Sequence, residues 1–276
     1  METKRQISSG LFNPENCFVA ENENQIIGSI AVTKLPRDGW FVLRYLALEE
    51  GTTNDDLGRR LVQTAVESAK SQNAEYLRST TPLVEPYISI YLQEGFRPVR
   101  RDLRIHWKLP VSDVSTKEDK KIKLRDVTED DEVDLASDVF MKSIEDIWTW
   151  RTTEQGGPEN VMRNFKGSFF FGKNQKWKLV FDQNEIIIGL TGLMPNDGGP
   201  GKGRFRGAYV LPEHRGFGYG MAIMQAVFEW AMDLGQNEMV IYTFSPLDKL
   251  APGAALYLKS GGKVDSEYLQ LEKDVT

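Results

Sequence analysis

The most chemically informative stretch of this 276-residue sequence is Arg215-Gly-Phe-Gly-Tyr-Gly220. It lies between a segment that reads as a strand, 204–211, and one that reads as a helix, 218–234. A glycine-spaced turn opening a helix leaves backbone N–H groups without internal partners, at the positive end of the helix dipole. Such a turn can hold an anion, and glycine lets the backbone come close to a pyrophosphate. A turn that only reverses the chain would show the same glycine spacing. Two nucleotide-binding patterns do not fit the context. No Gly-Lys-Ser/Thr is present for a Walker phosphate loop. The nicotinamide fingerprint requires a parallel βαβ unit, whereas the strands before this turn read as antiparallel hairpins.

The elements that would position the turn follow from periodicity. Residues 121–126 alternate as a strand, and Thr128 with the acidic run Glu129 to Glu132 suits a helix start. Apolar positions from 133 to 147 predict a helix, and a second short one is expected at 160–165 after Pro158. Segments 177–181 and 185–193 read as strands joined by Asp182-Gln-Asn184, a hairpin signal. Pro195-Asn-Asp-Gly-Gly-Pro200 is a turn cluster. A strand at 238–243 precedes a helix at 254–259, with Pro252 at its first turn and Gly261-Gly262 ending it. The last strand falls within 263–271.

The same order recurs earlier in the chain. Strands at 17–20 and 25–35 flank Glu21-Asn-Glu-Asn24, a turn follows at Pro36-Arg-Asp-Gly39, and a strand is read at 41–48. A helix at 57–69, a strand at 76–78, a helix at 85–93 and a strand ending at Trp107 complete the series. Ile90-Tyr-Leu-Gln-Glu-Gly-Phe96 aligns with Leu256-Tyr-Leu-Lys-Ser-Gly-Gly262. The first copy lacks a counterpart of 121–166. The polar stretch 110–120 reads as a linker. The expectation is a degenerate, truncated domain at 1–110, a linker at 111–120 and a complete domain at 121–276.

Arg215, Gly218 and Gly220, after the Val-x-Pro strand end at Val210-Leu-Pro212, match the Gln/Arg-x-x-Gly-x-Gly/Ala pattern. This stretch resembles the acyl-CoA-binding motif of the GCN5-related N-acetyltransferase (GNAT) superfamily. Ile122-Lys-Leu-Arg-Asp-Val-Thr-Glu-Asp-Asp131 resembles that family's first strand and helix cap. The resemblance covers essentially 120–276, and 17–108 only as the degenerate copy. It implies an α/β (α+β) fold with two domains, each a mixed, mostly antiparallel twisted sheet flanked by helices. It implies acetyl-CoA as acyl donor, admitted where two central strands splay. Backbone groups of Val210 and Leu211 would pair with the pantetheine arm, and an N–H there would stabilise an oxyanion. Amides of Arg215, Gly216, Phe217, Gly218, Tyr219 and Gly220 would hold the pyrophosphate. Tyr257 matches the tyrosine that protonates the departing thiolate, a fitting role for a phenol with a pKa near ~10. An amphipathic helix tyrosine with a wet hydroxyl is the other reading of that residue.

The sequence departs from the family pattern in several places. An asparagine expected about seven residues before the tyrosine is Leu250. A Gly-Phe pair after the last helix is Gly261-Gly262. No acidic residue stands in 204–211 where a base glutamate is common, so the base is water alone or a carboxylate such as Glu145 or Asp146. In the first copy Gly58 aligns with Gly218, Asp55 replaces the arginine, Arg60 replaces Gly220, and Tyr91 stands where Tyr257 does. Asp55 and Asp56 would repel a pyrophosphate, which makes this copy non-catalytic. Residues 132–166 would line the acceptor pocket. Glu145, Trp148 and Trp150 there suit a primary amine, or else pack in the core.

Composition limits the alternatives. The net charge is −6, with −2 over residues 1–119 and −4 over 120–276, so broad nucleic-acid binding is disfavoured. The basic cluster Lys202, Arg204 and Arg206 reads as solvated edge-strand charge or as a local anion site for ligand phosphates. One cysteine, Cys17, and two histidines, His106 and His214, disfavour a disulfide framework and a metal centre. No apolar run approaches a membrane span and no signal peptide is read at the N-terminus. A cytoplasmic monomer or homodimer is expected. The sequence therefore points to an acetyl-CoA-dependent N-acyltransferase acting on a small-molecule or peptide amine. A CoA-binding or protein-interaction module without catalysis is the alternative.

Overall fold

The computed structural model describes residues 13–35, 37–49, 55–111, 120–145, 157–171 and 174–275. In the first half of the chain it contains β1 Cys17–Asn22, β2 Gln25–Lys34, β3 Trp40–Leu48, α1 Asp55–Ser71, β4 Tyr76–Pro82, α2 Tyr87–Gln93 and β5 Arg97–Lys108. The second half contains β6 Ile122–Asp126, α3 Asp130–Ile144, α4 Pro158–Phe171, β7 Lys176–Asp182, β8 Ile187–Met194 and β9 Lys202–Val210. It continues with α5 Tyr219–Asp233, β10 Glu238–Ser245, α6 Pro252–Lys259 and β11 Lys263–Asp274. Among the described residues no helix is long and apolar enough to cross a membrane.

The chain forms two compact units. One comprises Met1–Asp102, Ser245–Lys249 and Glu267–Thr276, the other Leu103–Phe244 and Leu250–Ser266. In the first, β1, β2 and β3 are antiparallel neighbours, β3 and β4 are parallel, and β11 pairs antiparallel with β4. The β1–β2 turn places Glu23 and Asn24 at positive φ, which suits a tight hairpin of strand-matching twist. On α1, Leu61, Val62, Ala65, Val66 and Ala69 recur at helical spacing and are buried against Ile30, Val32, Leu43 and Leu77 of the sheet. Leu269 and Leu271 of β11 complete this core.

The second unit is also a mixed, mostly antiparallel sheet. Strands β6 to β9 are antiparallel in sequence order, β10 is parallel to β9, and β5 lies beyond β10. Each face has its own core. Helices α5 and α6 bury Ile223, Met224, Val227, Ala254 and Tyr257 with Leu103, Ile105 and Trp107. Helices α3 and α4 bury Val139, Phe140, Val161 and Phe165 with Trp177, Leu179 and Leu190. Helix α3 opens on a capping box, in which Glu129 accepts from the N3 backbone and Glu132 returns to the cap N–H. The Thr128 amide, with that of Glu129, holds the Glu132 carboxyl below its usual value. Helix α4 runs well beyond the short helix expected at 160–165.

The strand that closes each unit differs from the sequence expectation. Sequence order assigns the strand ending at Trp107 to the first unit and 263–271 to the second. Instead β11 pairs with β4, from Tyr268 opposite Pro82 to Asp274 opposite Tyr76. Leu103, Ile105 and Trp107 point into the second unit's core. Both strands alternate in the same way, and alternation fixes a buried face but not which sheet supplies it.

Two features of the second sheet shape its central cleft. Parallel pairing of β9 with β10 covers only Lys202–Glu238, Gly203–Met239 and Arg204–Val240, after which the strands separate. Between β8 and β9 the register slips, so Gly192 faces Gly207, Leu193 faces Phe205, and Arg206 is the extra residue of a β-bulge. Gly207 sits at φ 131, a conformation that disfavours any side chain. Close backbone approach also explains Gly189, where a Cβ would overlap the Tyr209 carbonyl oxygen. Gly189→Ala is expected to lower stability by about 3 kcal/mol through strand displacement. Chemical denaturation of the two proteins, followed by tryptophan fluorescence, measures this; equal midpoints would contradict it.

Candidate active site

A cavity of about 440 Å³ occupies the gap where β9 and β10 separate. Its walls are Phe205 to Val210 of β9, Ile241 to Phe244 of β10, the loop at His214, Arg215 and Gly216, the end of α3 at Ser143 and Ile144, and α6 with Leu256 and Tyr257. Among the described residues no acidic side chain lines it.

The strand edge that faces this gap has a definite polarity. Leu211 N–H donates to the Ile188 carbonyl (3.0 Å), which fixes the alternation of the β8–β9 ladder. The N–H groups of Ala208 and Val210 then point away from β8 and into the cavity. Ala208 N–H donates to Tyr257 Oη at 3.4 Å. Val210 N–H, two residues on, lies on the same edge. The Val210 carbonyl accepts from Arg215 Nε (3.1 Å), and another Arg215 nitrogen donates to the Ser143 carbonyl (2.7 Å) at the C-terminal end of α3. A guanidinium suits that end of a helix dipole. The Arg215 side chain thus ties the loop to β9 and α3, and the loop backbone faces the cavity. Leu211 has its N–H occupied and its side chain buried, so it offers the cavity no free donor.

The loop geometry follows from its proline and glycines. A 3-10 turn at Pro212–His214 ends β9. Gly216 and Gly218 take φ 80 and 86, and Gly218 is the left-handed N-cap of α5. The N–H groups from Gly216 to Gly220 find no acceptor among the described residues. Among the described residues nothing stands within 4 Å of a Cβ at Gly216, so the cradle is open there. A Cβ at Gly220 would lie 3.1 Å from Leu256, so that glycine serves helix packing as well. Phe217 is exposed, and Tyr219 meets the His214 ring edge-on. An open row of amides at a helix start fits the phosphates of a CoA-type donor.

Tyr257 is buried beneath the gap, with Trp107 and Phe205 edge-to-face around its ring. Burial pushes its phenol well above the usual value, the neighbouring Tyr209 adds to this, and the Ala208 N–H opposes it. The oxygen accepts from Ala208, and its proton has no acceptor among the described residues. Trp107 is a residue that sequence reasoning missed. A Cβ at Gly262 would lie 2.9 Å from its ring, so Trp107 occupies the space that a Gly-Phe pair would fill. In the other unit Phe96 is the ring set edge-on to Tyr91. Trp107 also donates to Ser260 Oγ, which donates to the Tyr257 carbonyl.

Other expected residues lie elsewhere. Glu145 is exposed at the end of α3, beside the cavity but not lining it, and Leu250 is exposed. Asp146, Trp148 and Trp150 lie outside the described residues. Arg204 and Arg206 are not on an edge strand: β9 is internal, and both line the cavity.

The first unit repeats this arrangement with a longer ladder, β3 running on from Arg44 unpaired with β4. Its parallel pairing runs one residue further, to Leu43 opposite Ser79. Ser79 Oγ donates to the Leu43 carbonyl (3.2 Å) and is hydrogen-bonded to the Tyr91 phenol. Burial pushes that phenol up to about 12. Packing also corrects the alignment of Gly58. A Cβ there would overlap Ile90, the residue before Tyr91, as one at Gly220 would crowd Leu256, the residue before Tyr257. Gly58 therefore corresponds to Gly220, which puts Asp56 at the place of Gly218.

Comparison with known proteins agrees with this geometry. Residues 141–261 match the acetyltransferase (GNAT) family model, and residues 13–98 match an acetyltransferase (GNAT) domain model. An uncharacterised N-acetyltransferase of Schizosaccharomyces pombe is 32% identical over 87 residues, which span 32% of this chain and 51% of that protein. The chain thus matches about half the length of this relative. A GCN5-related N-acetyltransferase from Sphaerobacter thermophilus superposes with a TM-score of 0.70 at 17% identity, covering 99% of this chain and 85% of that one. A tandem GNAT protein from the clavulanic acid biosynthesis pathway gives 0.64 at 13% identity, covering 95% and 85%. At these identities the likeness is one of fold.

The buried phenol has a measurable consequence. Tyr257 stays protonated in the folded protein above about pH 10, where a free phenol ionises. The unfolded chain releases that proton first, so this residue's contribution to stability falls as pH rises past about 10. Phenolate absorbance at 295 nm should follow the same curve in the wild type and Tyr257→Phe until unfolding begins. A titration step near pH 10 that the substitution removes would contradict the burial.

Proposed function

Because the chain belongs to the GNAT acetyltransferase family and carries two of its domains, we propose that it is an acetyl-CoA-dependent N-acyltransferase. The acceptor is a primary amine of a small molecule or peptide, attacking the thioester directly. Chemistry resides in the complete domain, 121–276, with residues 103–108 of β5 joining its core and 267–276 lying in the other unit. The copy at 1–110, joined by a linker at 111–120, is non-catalytic, a reading supported by Ser79, which ties the Leu43 carbonyl to the Tyr91 phenol, and by Asp56 at a loop-glycine position. The lone exposed Cys17 has no part in this chemistry.

The observation that carries this reading is Tyr257 Oη accepting from Ala208 N–H at the floor of the cavity. Acetyl-CoA, when bound, supplies the acyl group as an activated thioester. Amides from Gly216 to Gly220 bind its phosphates, and the edge of β9 at Val210 orients the arm. Val210 N–H is a fixed donor for a carbonyl oxygen, pre-aligned so that no reorganisation is needed as charge develops. Tyr257 gives its proton from Oη to the leaving sulfur. Its oxygen already accepts from Ala208, so the phenolate formed is stabilised where it arises. Without a carboxylate in the cavity wall, the amine arrives neutral or loses its proton to water.

Two substitutions test this reading. Tyr257→Phe keeps the ring packing and should lower kcat about 100-fold or more with acetyl-CoA affinity unchanged. Unchanged turnover would remove Tyr257 as the acid, and no turnover in the wild type with acetyl-CoA bound would favour a non-catalytic CoA-binding module. Gly216→Asp places a negative charge in the open cradle and should weaken acetyl-CoA binding by about 10-fold or more, since a charge near a helix N-terminus counts for up to ~2 kcal/mol. Gly216→Asn, which tolerates the same backbone, should bind normally. Calorimetry that finds the two variants equal would sink the loop assignment.

A further inference from the structure

We propose that the acceptor carries a carboxylate beside its amine, and that Arg206, assisted by Arg204, binds it. The inference rests on the acyl-transfer reading and names the substrate class of that same cavity. Arg206 is the bulged residue of β9, and a bulge re-aims one side chain out of strand alternation. Its side chain lies on the face of α3 and α4, over the Trp177 ring at 6.0 Å, and it lines the cavity wall. Among the described residues its buried Nε has no acceptor, and Nη1 meets only the Met194 sulfur, a weak acceptor, at 3.9 Å.

A buried donor without a partner costs stability unless a ligand supplies the acceptor. The charged groups around Arg206 do not supply it. Arg204 repels it, and Asp197, 3.4 Å from an Arg204 nitrogen, is shared with that arginine, which also stacks 5.0 Å over Tyr242. Desolvation lowers the proton affinity of Arg206, in keeping with a charge that lacks its counter-ion. No carboxylate among the described lining residues can provide one.

Position separates this anion from those of the acyl donor. Arg206 lies four residues before Val210, about 13 Å back along the strand at ~3.3 Å per residue. The loop amides that fit phosphates stand beyond Val210, at the other end. Tyr257 and Ala208 fall between them. A group held at Arg206 therefore belongs to the molecule that meets the thioester from the acceptor side. The planar guanidinium fork matches a carboxylate better than a point charge does. This excludes polyamine-type acceptors, whose second charge is positive.

The test measures CoA release by the full chain, with acetyl-CoA binding followed separately by calorimetry. The acceptors are the L-amino acids, their carboxamides, phosphoethanolamine and spermidine. The expected result is turnover of one or more amino acids and poor turnover of the matching amides. Arg206→Gln should raise KM for the amino acid about 10- to 100-fold with acetyl-CoA affinity unchanged. Arg206→Lys should restore part of the loss. Amides or spermidine used as well as amino acids, a panel with no accepted amino acid, or an unmoved KM in Arg206→Gln would each overturn the proposal. So would phosphoethanolamine outperforming every amino acid, or a loss of acetyl-CoA affinity in Arg206→Gln, which would assign the arginine to the donor. Wild-type protein that fails to bind acetyl-CoA overturns the acyl-transfer reading itself, whereas intact binding without carboxylate preference overturns this proposal alone.

Discussion

The separation of β9 from β10 after three paired residues is the constraint on which the site depends. A parallel pair that continued would satisfy the Ala208 and Val210 amides within the sheet and leave no gap. The bulge at Arg206 and the positive φ of Gly207 turn β9 at that point. Tyr257 then enters from α6 and takes the Ala208 N–H that strand pairing would have used. The N-terminal unit shows the alternative outcome of nearly the same sequence order. Its strands pair one residue further, and Ser79 satisfies both a strand carbonyl and the tyrosine hydroxyl. A side-chain hydroxyl and one more ladder pair occupy the point at which the other unit's strands have already parted.

Burial and hydrogen bonding act on Tyr257 in opposite directions, and the balance suits an acid. Desolvation penalises the phenolate and keeps the proton in place at any ordinary pH. The Ala208 amide stabilises the same phenolate once the proton has gone. Trp107 makes this arrangement rigid by filling the space above Gly262 and by its hydrogen bond to Ser260. The cavity carries no carboxylate among its described lining residues, and Arg204, Arg206 and Arg215 bring it positive charge. Arg215 is held by two backbone carbonyls, whereas Arg206 retains a donor unmet among the described residues. That contrast separates a guanidinium that builds the loop from one available to a ligand.

Much of this is legible in the sequence. The repeat, the element order, the glycine turn before α5 and the tyrosine of α6 are all local patterns of periodicity and turn chemistry. What escapes is non-local. Strands 97–108 and 263–274 alternate alike, so nothing in either says which sheet it joins. Spacing matches Gly58 to Gly218, and only its contact with Ile90 reveals the two-residue offset. The aromatic missing at Gly262 is supplied by Trp107, more than 150 residues away in the chain. Arg206 reads as a surface charge because a bulge cannot be seen in a run of Lys, Gly, Arg and Phe.

The second unit takes acetyl-CoA in this account and its repeat does not. The most direct measurement is a CoA titration of protein labelled with ¹⁵N at glycine only, followed by amide NMR. The account predicts that Gly207, Gly216, Gly218 and Gly220 shift with increasing CoA while Gly58 stays in place. Movement of Gly58, or stationary resonances for all three loop glycines at saturating CoA, would contradict it.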